Sequence, residues 1–284
     1  MSQITRQIDR VQRDARKIAR RARGWIEPVA RVGYAAKGTV YCLIGLIAVL
    51  AAIGMSTRVA DQRGVMKAIL AQPFGKVMLL AMAVGLSCYT LWYFIQAILD
   101  PEAAGSDWKG VGKRVGELIK GFIHVGLVLA ILRLMIGLKT RESTDSVARD
   151  WTARVMAFPL GIWLAGAIGV GVLGYGFFQL YRAWKIQLDE ELKLARFGRV
   201  GHAVVIFLSR FGLFARGILF GTIGVFLIVA SMRADPRQAK GVAAAMRALE
   251  DEPYGSLLLS GVALGLFSYG MYQFLRAKYR EIGA

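Results

Sequence analysis

The chain has 284 residues, of which 56% are hydrophobic, and it carries a formal net charge of +18. That apolar share exceeds the share of an ordinary soluble domain, and a nucleic-acid-binding protein of this charge would be less apolar. The high hydrophobicity also excludes an intrinsically disordered chain. The composition therefore predicts a polytopic membrane protein whose positive charge lies outside the hydrocarbon.

Residues 1–28 predict a basic amphipathic helix on the cytoplasmic side. Apolar residues from Ile4 to Trp25 recur at alternating spacings of four and three, and eight basic residues between Arg6 and Arg23 occupy the other faces. We expect this helix to bind anionic lipid headgroups. The alternative is a coiled coil with a protein partner or with a second copy in a homo-oligomer. A nucleic-acid partner is not expected, because Trp25 is the one aromatic residue in this segment.

Six apolar runs are each long enough to cross the about 30 Å of a bilayer's hydrocarbon core. They predict membrane-spanning helices at Gly33–Gly54, Gly75–Leu99, Gly116–Leu138, Ala157–Tyr181, Phe211–Met232 and Gly255–Leu275. An even number of spans places both termini on one side. Lysine and arginine together number 21 on that side and 11 on the other. The positive-inside rule therefore predicts cytoplasmic termini and a location in the bacterial inner membrane.

One pattern occurs three times along the chain. The first helix of each unit opens with Arg-x-Gly-x-x-x-Lys/Arg-Gly, at Arg31, Arg114 and Arg210. The second helix of each unit opens with proline, a large residue and glycine, at Pro73, Pro159 and Pro253. A glycine and a tyrosine four residues apart then follow at a constant distance: Gly85 and Tyr89, Gly171 and Tyr175, Gly265 and Tyr269. Glycine permits close helix contact beside the tyrosine, so we expect these pairs to pack helices together.

The repeats predict an all-α fold of three tandem two-helix units, arranged around a pseudo-threefold axis. Their predicted limits are 29–102, 112–185 and 209–280, and residues 186–208 predict an amphipathic cytoplasmic linker. Between the two long helices of each unit lies a shorter amphipathic segment, which predicts an interfacial helix. These segments are Arg63–Ala71, Val147–Ala157 and Arg237–Leu249.

On these motifs the chain resembles the bacterial membrane family catalogued as domain of unknown function 1206. The resemblance covers most of the chain and implies three tandem repeats, each with two transmembrane helices. It implies no activity. The second repeat departs from the pattern of the first, because Glu117 stands where Tyr34 stands.

Three cations occupy the same position in the three repeats, about one turn inside the predicted spans: Lys37, Lys120 and Arg216. Around a pseudo-threefold axis they would ring a cytoplasmic vestibule and bind an anion or a lipid headgroup. The alternative is that they snorkel to the headgroups while their stems cover apolar surface, which their shallow predicted depth favours. The sequence leaves both interpretations open.

The third span carries a polar face of Glu117, Lys120 and His124, because residues three and four apart share one side of a helix. A proton relay is one interpretation, and a satisfied hydrogen bond between helices is the favoured one. Arg133 lies on roughly the opposite face. Cys42 and Cys88 predict small buried thiols, and the two histidines and two cysteines lack metal-ligand spacing, so neither a metal nor a cofactor is predicted.

The sequence favours a non-enzymatic transporter or channel-like protein for a small anion or a lipid headgroup. It contains no paired carboxylates, no nucleophile beside a base and no phosphate-binding loop, so an enzyme is not predicted. The alternative is a structural or scaffold subunit of a membrane complex, or an envelope-stress component without transport. Membrane lipids are the expected partners in either case.

Overall fold

The computed structural model describes residues 2–55, 61–100, 105, 107–138, 143–185 and 199–280. Within the helices, the side chains of residues 2–23, 109, 199 and 200 lie outside that description. The apolar stripe predicted for the N-terminal helix therefore falls outside it, and so does most of the predicted linker 186–208.

The described chain is built from nine α-helices and one short 3-10 helix, Pro236–Gln238. The α-helices are α1 Ser2–Ala52, α2 Gln62–Leu70, α3 Gly75–Leu99, α4 Trp108–Met135, α5 Thr144–Met156, α6 Gly161–Lys185, α7 Arg199–Met232, α8 Val242–Glu250 and α9 Gly255–Tyr279. In this part of the chain, six are long and apolar enough to cross a membrane, namely α1, α3, α4, α6, α7 and α9. The predicted all-α fold with six spans and interfacial helices is confirmed.

Helix α1 is longer than the sequence suggested. It runs from Ser2 to Ala52 through Pro28, so the N-terminal segment and the first span form one continuous helix. A proline in a helix interior removes one hydrogen-bond donor, which is why a boundary was expected there. Lys37 of α1 and Arg216 of α7 lie about one turn inside the predicted spans Gly33–Gly54 and Phe211–Met232.

The Pro-x-Gly motif forms the same turn in all three repeats. The residue between proline and glycine has a left-handed backbone, with φ of 60° at Phe74, 63° at Leu160 and 62° at Tyr254. The glycine lies against the preceding short helix, where a Cβ on Gly75 would lie 2.2 Å from the Ile69 carbonyl oxygen. The long helix therefore begins at the glycine, and the proline lies in the turn instead of at the helix start that its sequence position suggested.

The six spanning helices form an incomplete ring. In each repeat the first helix packs against the second helix of the preceding repeat, giving the pairs α1 with α9, α4 with α3, and α7 with α6. Within the repeats, α1 packs against α3 and α7 packs against α9. The inter-repeat contacts thus follow the predicted threefold pattern. Within the described residues, α4 and α6 form no comparable interface, so the ring is open inside the second repeat.

Glycine contacts hold the first and third repeats closed. A Cβ on Gly33 would lie 2.6 Å from the Tyr89 Cα, and a Cβ on Gly212 would lie 2.6 Å from the Tyr269 Cα. The glycine of the Gly-x-x-x-Tyr motif, on the second helix of each of these repeats, faces the methyl group of an alanine on the first helix. Gly85 faces Ala36, and Gly265 faces Ala215. No residue with a side chain fits at these glycines without moving backbone, so the repeat motif encodes close helix packing.

The second repeat has the same glycines but lacks their contacts. A Cβ on Gly116 or Gly171 would meet nothing within 4 Å. In the sequence, Ile119 takes the position of Ala36 and Ala215. A branched side chain at this position keeps the opposite helix from approaching as closely as it does over alanine. Ile119 therefore gives a local reason for the separation of α4 from α6.

The three short helices are joined on the side of the bundle opposite the termini. Asp61 caps α2 through the N–H groups of Arg63 and Gly64 and also accepts hydrogen bonds from the backbone N–H and the hydroxyl of Thr144 in α5. Asp145 of α5 accepts hydrogen bonds from the Gly241 N–H at 2.8 Å and from the Arg247 guanidinium at 2.6 Å. Buried carboxylates thus tie α2 to α5 and α5 to α8 at this end of the bundle.

Candidate functional site

The candidate site is a group of buried cations and tyrosines inside the ring, which we call the cation cluster and define by Lys37, Arg216, Tyr89 and Tyr269. Lys37 lies about one turn inside the predicted span Gly33–Gly54, and it is buried in the helix bundle, with 7% exposed. Its ammonium donates a hydrogen bond to the Tyr89 hydroxyl at 2.8 Å and lies 4.7 Å from the centre of the tyrosine ring. The side chain of Lys37 therefore does not snorkel to the headgroups.

The third repeat reproduces this arrangement. Arg216 is 7% exposed and donates a hydrogen bond to the Tyr269 hydroxyl at 2.7 Å. Its guanidinium carbon lies 4.3 Å from the centre of the same ring and 5.1 Å from that of Phe220, within cation–π range. Tyr269 also accepts a hydrogen bond from Gln273 at 2.6 Å. Equivalent residues of two repeats thus make equivalent cation–tyrosine pairs.

Lys120, the equivalent cation of the second repeat, is bound differently. Its ammonium lies 2.9 Å from a carboxylate oxygen of Glu117 on the same helix, and its side chain is 36% exposed. Its tyrosine counterpart, Tyr175, lies across the opening on α6 and interacts with Arg216 instead. The second carboxylate oxygen of Glu117 is buried, and the part of the chain that the structure describes gives it no hydrogen-bond partner. The three predicted cations therefore face the same interior, but the structure pairs them in two different ways.

The balance of charge in the cluster is positive. The positive charges of Arg216, Arg276 and Lys120 repel the Lys37 ammonium. The negative charge of Glu117 attracts it. The two buried cations donate hydrogen bonds to tyrosine hydroxyls, which are neutral. The Arg216 Nε is buried and has no hydrogen-bond partner among the described residues. Burial of uncompensated charge is costly in a membrane, so this arrangement is suited to a bound counter-anion.

The polar face predicted on α4 points toward the interior. The Nδ1 atom of His124 lies 2.8 Å from the Lys120 carbonyl oxygen, a contact within one helix. Its ring packs against Tyr89 and Tyr93, with centroids 5.1 and 5.4 Å away. The contact between helices is therefore aromatic, whereas the sequence favoured a hydrogen bond. Arg133, on the opposite face, is exposed.

Two features of the interior were not found from the sequence. Tyr89 and Tyr93 share a hydrogen bond of 2.6 Å between their hydroxyls, so the chain of polar atoms from Lys37 extends toward α4. Trp92 donates a hydrogen bond of 3.0 Å to the Tyr34 hydroxyl. The spacing of four residues between Tyr89 and Tyr93 predicts that both side chains lie on one face of α3. The repeat motif does not reveal this pair, because Tyr93 is not part of the motif.

Both cysteines, Cys42 and Cys88, are free thiols. The Cys42 sulfur lies 3.7 Å from the Phe267 carbonyl oxygen. Among the described residues, no group of three histidine, cysteine, aspartate or glutamate side chains is placed to hold a metal ion.

The exposed surface matches a membrane environment. The large residues of the three Pro-x-Gly turns are strongly exposed at equivalent positions, at Phe74, Leu160 and Tyr254. Apolar and aromatic side chains also cover the outer faces of α4 and α6, including Phe122 and Trp163. Apolar exposure on this scale is expected where lipid replaces water as the solvent.

Comparison with known proteins agrees with the internal repeat. The sequence model of the family described as Domain of Unknown Function (DUF1206) matches three times, over residues 32–100, 115–185 and 211–280. The chain is also 30% identical to the uncharacterized protein YxxB of Bacillus subtilis (strain 168) over 266 residues, covering 94% of this chain and 95% of that protein. No solved structure matches. The chain is thus an integral membrane protein that belongs to the DUF1206 family, one family unit for each of its two-helix repeats.

Proposed function

We propose that this protein binds an anion inside the membrane, at Lys37 and Arg216, and that it acts as a non-enzymatic transporter or channel-like protein. One observation carries the proposal: Lys37 and Arg216, at equivalent repeat positions, are buried inside the helix bundle, and both donate hydrogen bonds to tyrosine hydroxyls. Since an isolated buried cation is costly, a bound anion would stabilise both. A small anion or the headgroup of an anionic lipid has the required charge.

The expected route to the site is from the cytoplasm. The positive-inside rule favours cytoplasmic termini, and the carboxylate ties at Asp61 and Asp145 join the short helices at the opposite end of the bundle. Transport across the membrane would then require these ties to open while the cation–tyrosine pairs hold the anion. The same orientation gives the helix over residues 1–28 a surface of anionic lipid to bind.

The proposal is tested with inorganic phosphate as the probe. The full chain, purified and delipidated in detergent, is titrated with phosphate, and phosphate uptake is measured in proteoliposomes. The double variant Lys37→Gln and Arg216→Gln should lose both binding and uptake. Lys67→Gln is the matched control, because Lys67 is an exposed residue of α2 outside the cluster. Equal binding and uptake by the double variant and the wild type would contradict the proposal.

A scaffold role is the second candidate, and the exposed apolar faces of α4 and α6 favour it. Such faces could receive a helix of another membrane protein. This role predicts co-purification with a defined partner, no phosphate uptake, and no change when both cations of the cluster are replaced by glutamine.

Deleting residues 1–23 separates the roles of the N-terminal helix: an unchanged oligomeric state would support lipid binding over a coiled coil.

A further inference from the structure

The second repeat is open between α4 and α6. On the α4 side the opening is bordered by Gly116 and by Ile119, which is 55% exposed. On the α6 side it is bordered by Gly171, which has open space around it. The counterparts of these three residues pack against the opposite helix in the first and third repeats. In the second repeat these residues leave an apolar slot, which suits a hydrocarbon chain.

The slot leads to positive charge. Lys120 lies on its α4 edge and is partly exposed. Tyr175 lies on its α6 edge, where it interacts with Arg216 and with the charge of Lys120 and packs its ring 5.1 Å from Phe220. Behind this edge lies Arg216, more than nine-tenths buried, and its Nε atom has no hydrogen-bond partner in the described part of the chain. An apolar slot thus ends beside Lys120 and the buried Arg216.

We infer that the ligand of this site is an anionic phospholipid, whose headgroup binds at Arg216, Lys120 and Lys37 while an acyl chain lies in the slot between α4 and α6, a lateral entrance from the lipid. The inference rests on the anion-binding function proposed above and names the class of its ligand. A water-soluble anion would use the cations but leave the slot without an occupant. A partner helix would fill the slot, but it would need an acidic side chain placed inside the membrane to reach the cations.

The inference is tested by native mass spectrometry of the full chain, delipidated and then exposed to equal amounts of phosphatidylglycerol and phosphatidylcholine. We expect wild-type protein to retain phosphatidylglycerol preferentially. Gly171→Trp fills the slot at a glycine that has open space around it, and it should lower phosphatidylglycerol retention at least about tenfold. Val170→Trp is the matched control, because Val170 is 60% exposed and points about 100° away around the helix. It should retain lipid as the wild type does.

The outcomes separate this inference from the function on which it rests. Gly171→Trp should still bind inorganic phosphate and should melt at the wild-type temperature, which shows that the variant is folded. Retention of phosphatidylglycerol by Gly171→Trp at the wild-type level would overturn the lateral entrance. Phosphate binding without any preference for phosphatidylglycerol would overturn the lipid ligand alone. If neither phosphate nor phosphatidylglycerol binds to wild-type protein, the proposed function fails as well. A helix of another protein found in the slot would overturn the lipid ligand and support the scaffold role.

Discussion

The first and third repeats differ from the second, although all three carry the same motif. In the outer two, the glycines Gly33 and Gly212 contact the backbone of the repeat's own tyrosine, and the cation binds that tyrosine's hydroxyl. In the second repeat the glycines have open space around them, and Lys120 pairs with Glu117 on its own helix. A repeated motif therefore supplies the surfaces for a closed hairpin, and residues between the motif positions decide whether it closes.

The contrast should be largest for glycines at the closed contacts. Gly33→Ala or Gly212→Ala places a Cβ 2.6 Å from the Cα of a tyrosine on the opposite helix. Because backbone must move, each change should destabilise the protein by about 3 kcal/mol. Gly116→Ala, at the equivalent position in the open repeat, should change stability by no more than about 0.5 kcal/mol. Unfolding in mixed detergent micelles measures both, and equal losses at the two positions would break the comparison.

A second contrast concerns the ties between the short helices. Asp145 lies in the part of α5 that has no counterpart in α2 or α8, and it binds the Gly241 N–H and Arg247. Asp145→Asn removes the negative charge of the carboxylate that accepts these hydrogen bonds. We therefore expect a loss of about 2 kcal/mol in the free energy of unfolding. Asp251→Asn, an exposed residue at the end of α8, is the control and should cost little. Thermal melting in detergent distinguishes the two, and a stable Asp145→Asn would show that the ties do not hold this end of the bundle together.

A third contrast uses the repeat tyrosines. Tyr89→Phe leaves the buried Lys37 ammonium without the hydroxyl that accepts its hydrogen bond, and an unsatisfied buried donor costs about 1–3 kcal/mol. Tyr269→Phe should behave alike, although Arg216 retains its cation–π contacts with the ring. Tyr175→Phe should cost least, because Arg216, with which Tyr175 interacts, keeps its hydrogen bond to Tyr269. Equal losses at all three positions would mean that the repeats are energetically equivalent.

The smallest expected effect on stability is at Ile119. Ile119→Ala restores the alanine found at the corresponding position of the other repeats and removes an exposed side chain, so stability should change by less than about 1 kcal/mol. If α4 then approaches α6, phosphatidylglycerol retention should fall, because the slot narrows. Val115→Ala, another exposed residue of α4, is the control. Unchanged lipid retention in Ile119→Ala would remove Ile119 as the cause of the opening.

Much of the architecture was predictable because it follows from periodicity and repeated spacing. The six spans and the three repeats were found, and so were the short helices and the equivalence of Lys37, Lys120 and Arg216. Burial of Lys37 and Arg216 was not foreseen, because their tyrosine partners lie on other helices and the sequence alone does not show these contacts. The continuous helix through Pro28 was missed for the reason that proline usually marks a boundary.

The opening in the ring was not predictable from the motif alone. Ile119 was visible in the sequence as a departure from alanine, but its consequence depends on which residue it faces across the helix pair. The repeat pattern does not predict the tie at Asp145, because this residue lies in the part of α5 that the other short helices lack. Side-chain partners across different repeats, such as Asp61 with Thr144, require the three-dimensional arrangement.

The central claim is that α4 and α6 stand apart while the other two hairpins are closed, and distances between spin labels test it most directly. Exposed residues at equivalent positions of the three repeats give matched label pairs, namely Leu46 with Met78, Leu129 with Leu164, and Val225 with Leu258. With Cys42 and Cys88 replaced by alanine, double electron–electron resonance in lipid nanodiscs measures each pair. The structure predicts similar distances for the first and third pairs and a longer one for Leu129 with Leu164. Three equal distances would contradict the open second repeat and the lateral entrance that depends on it.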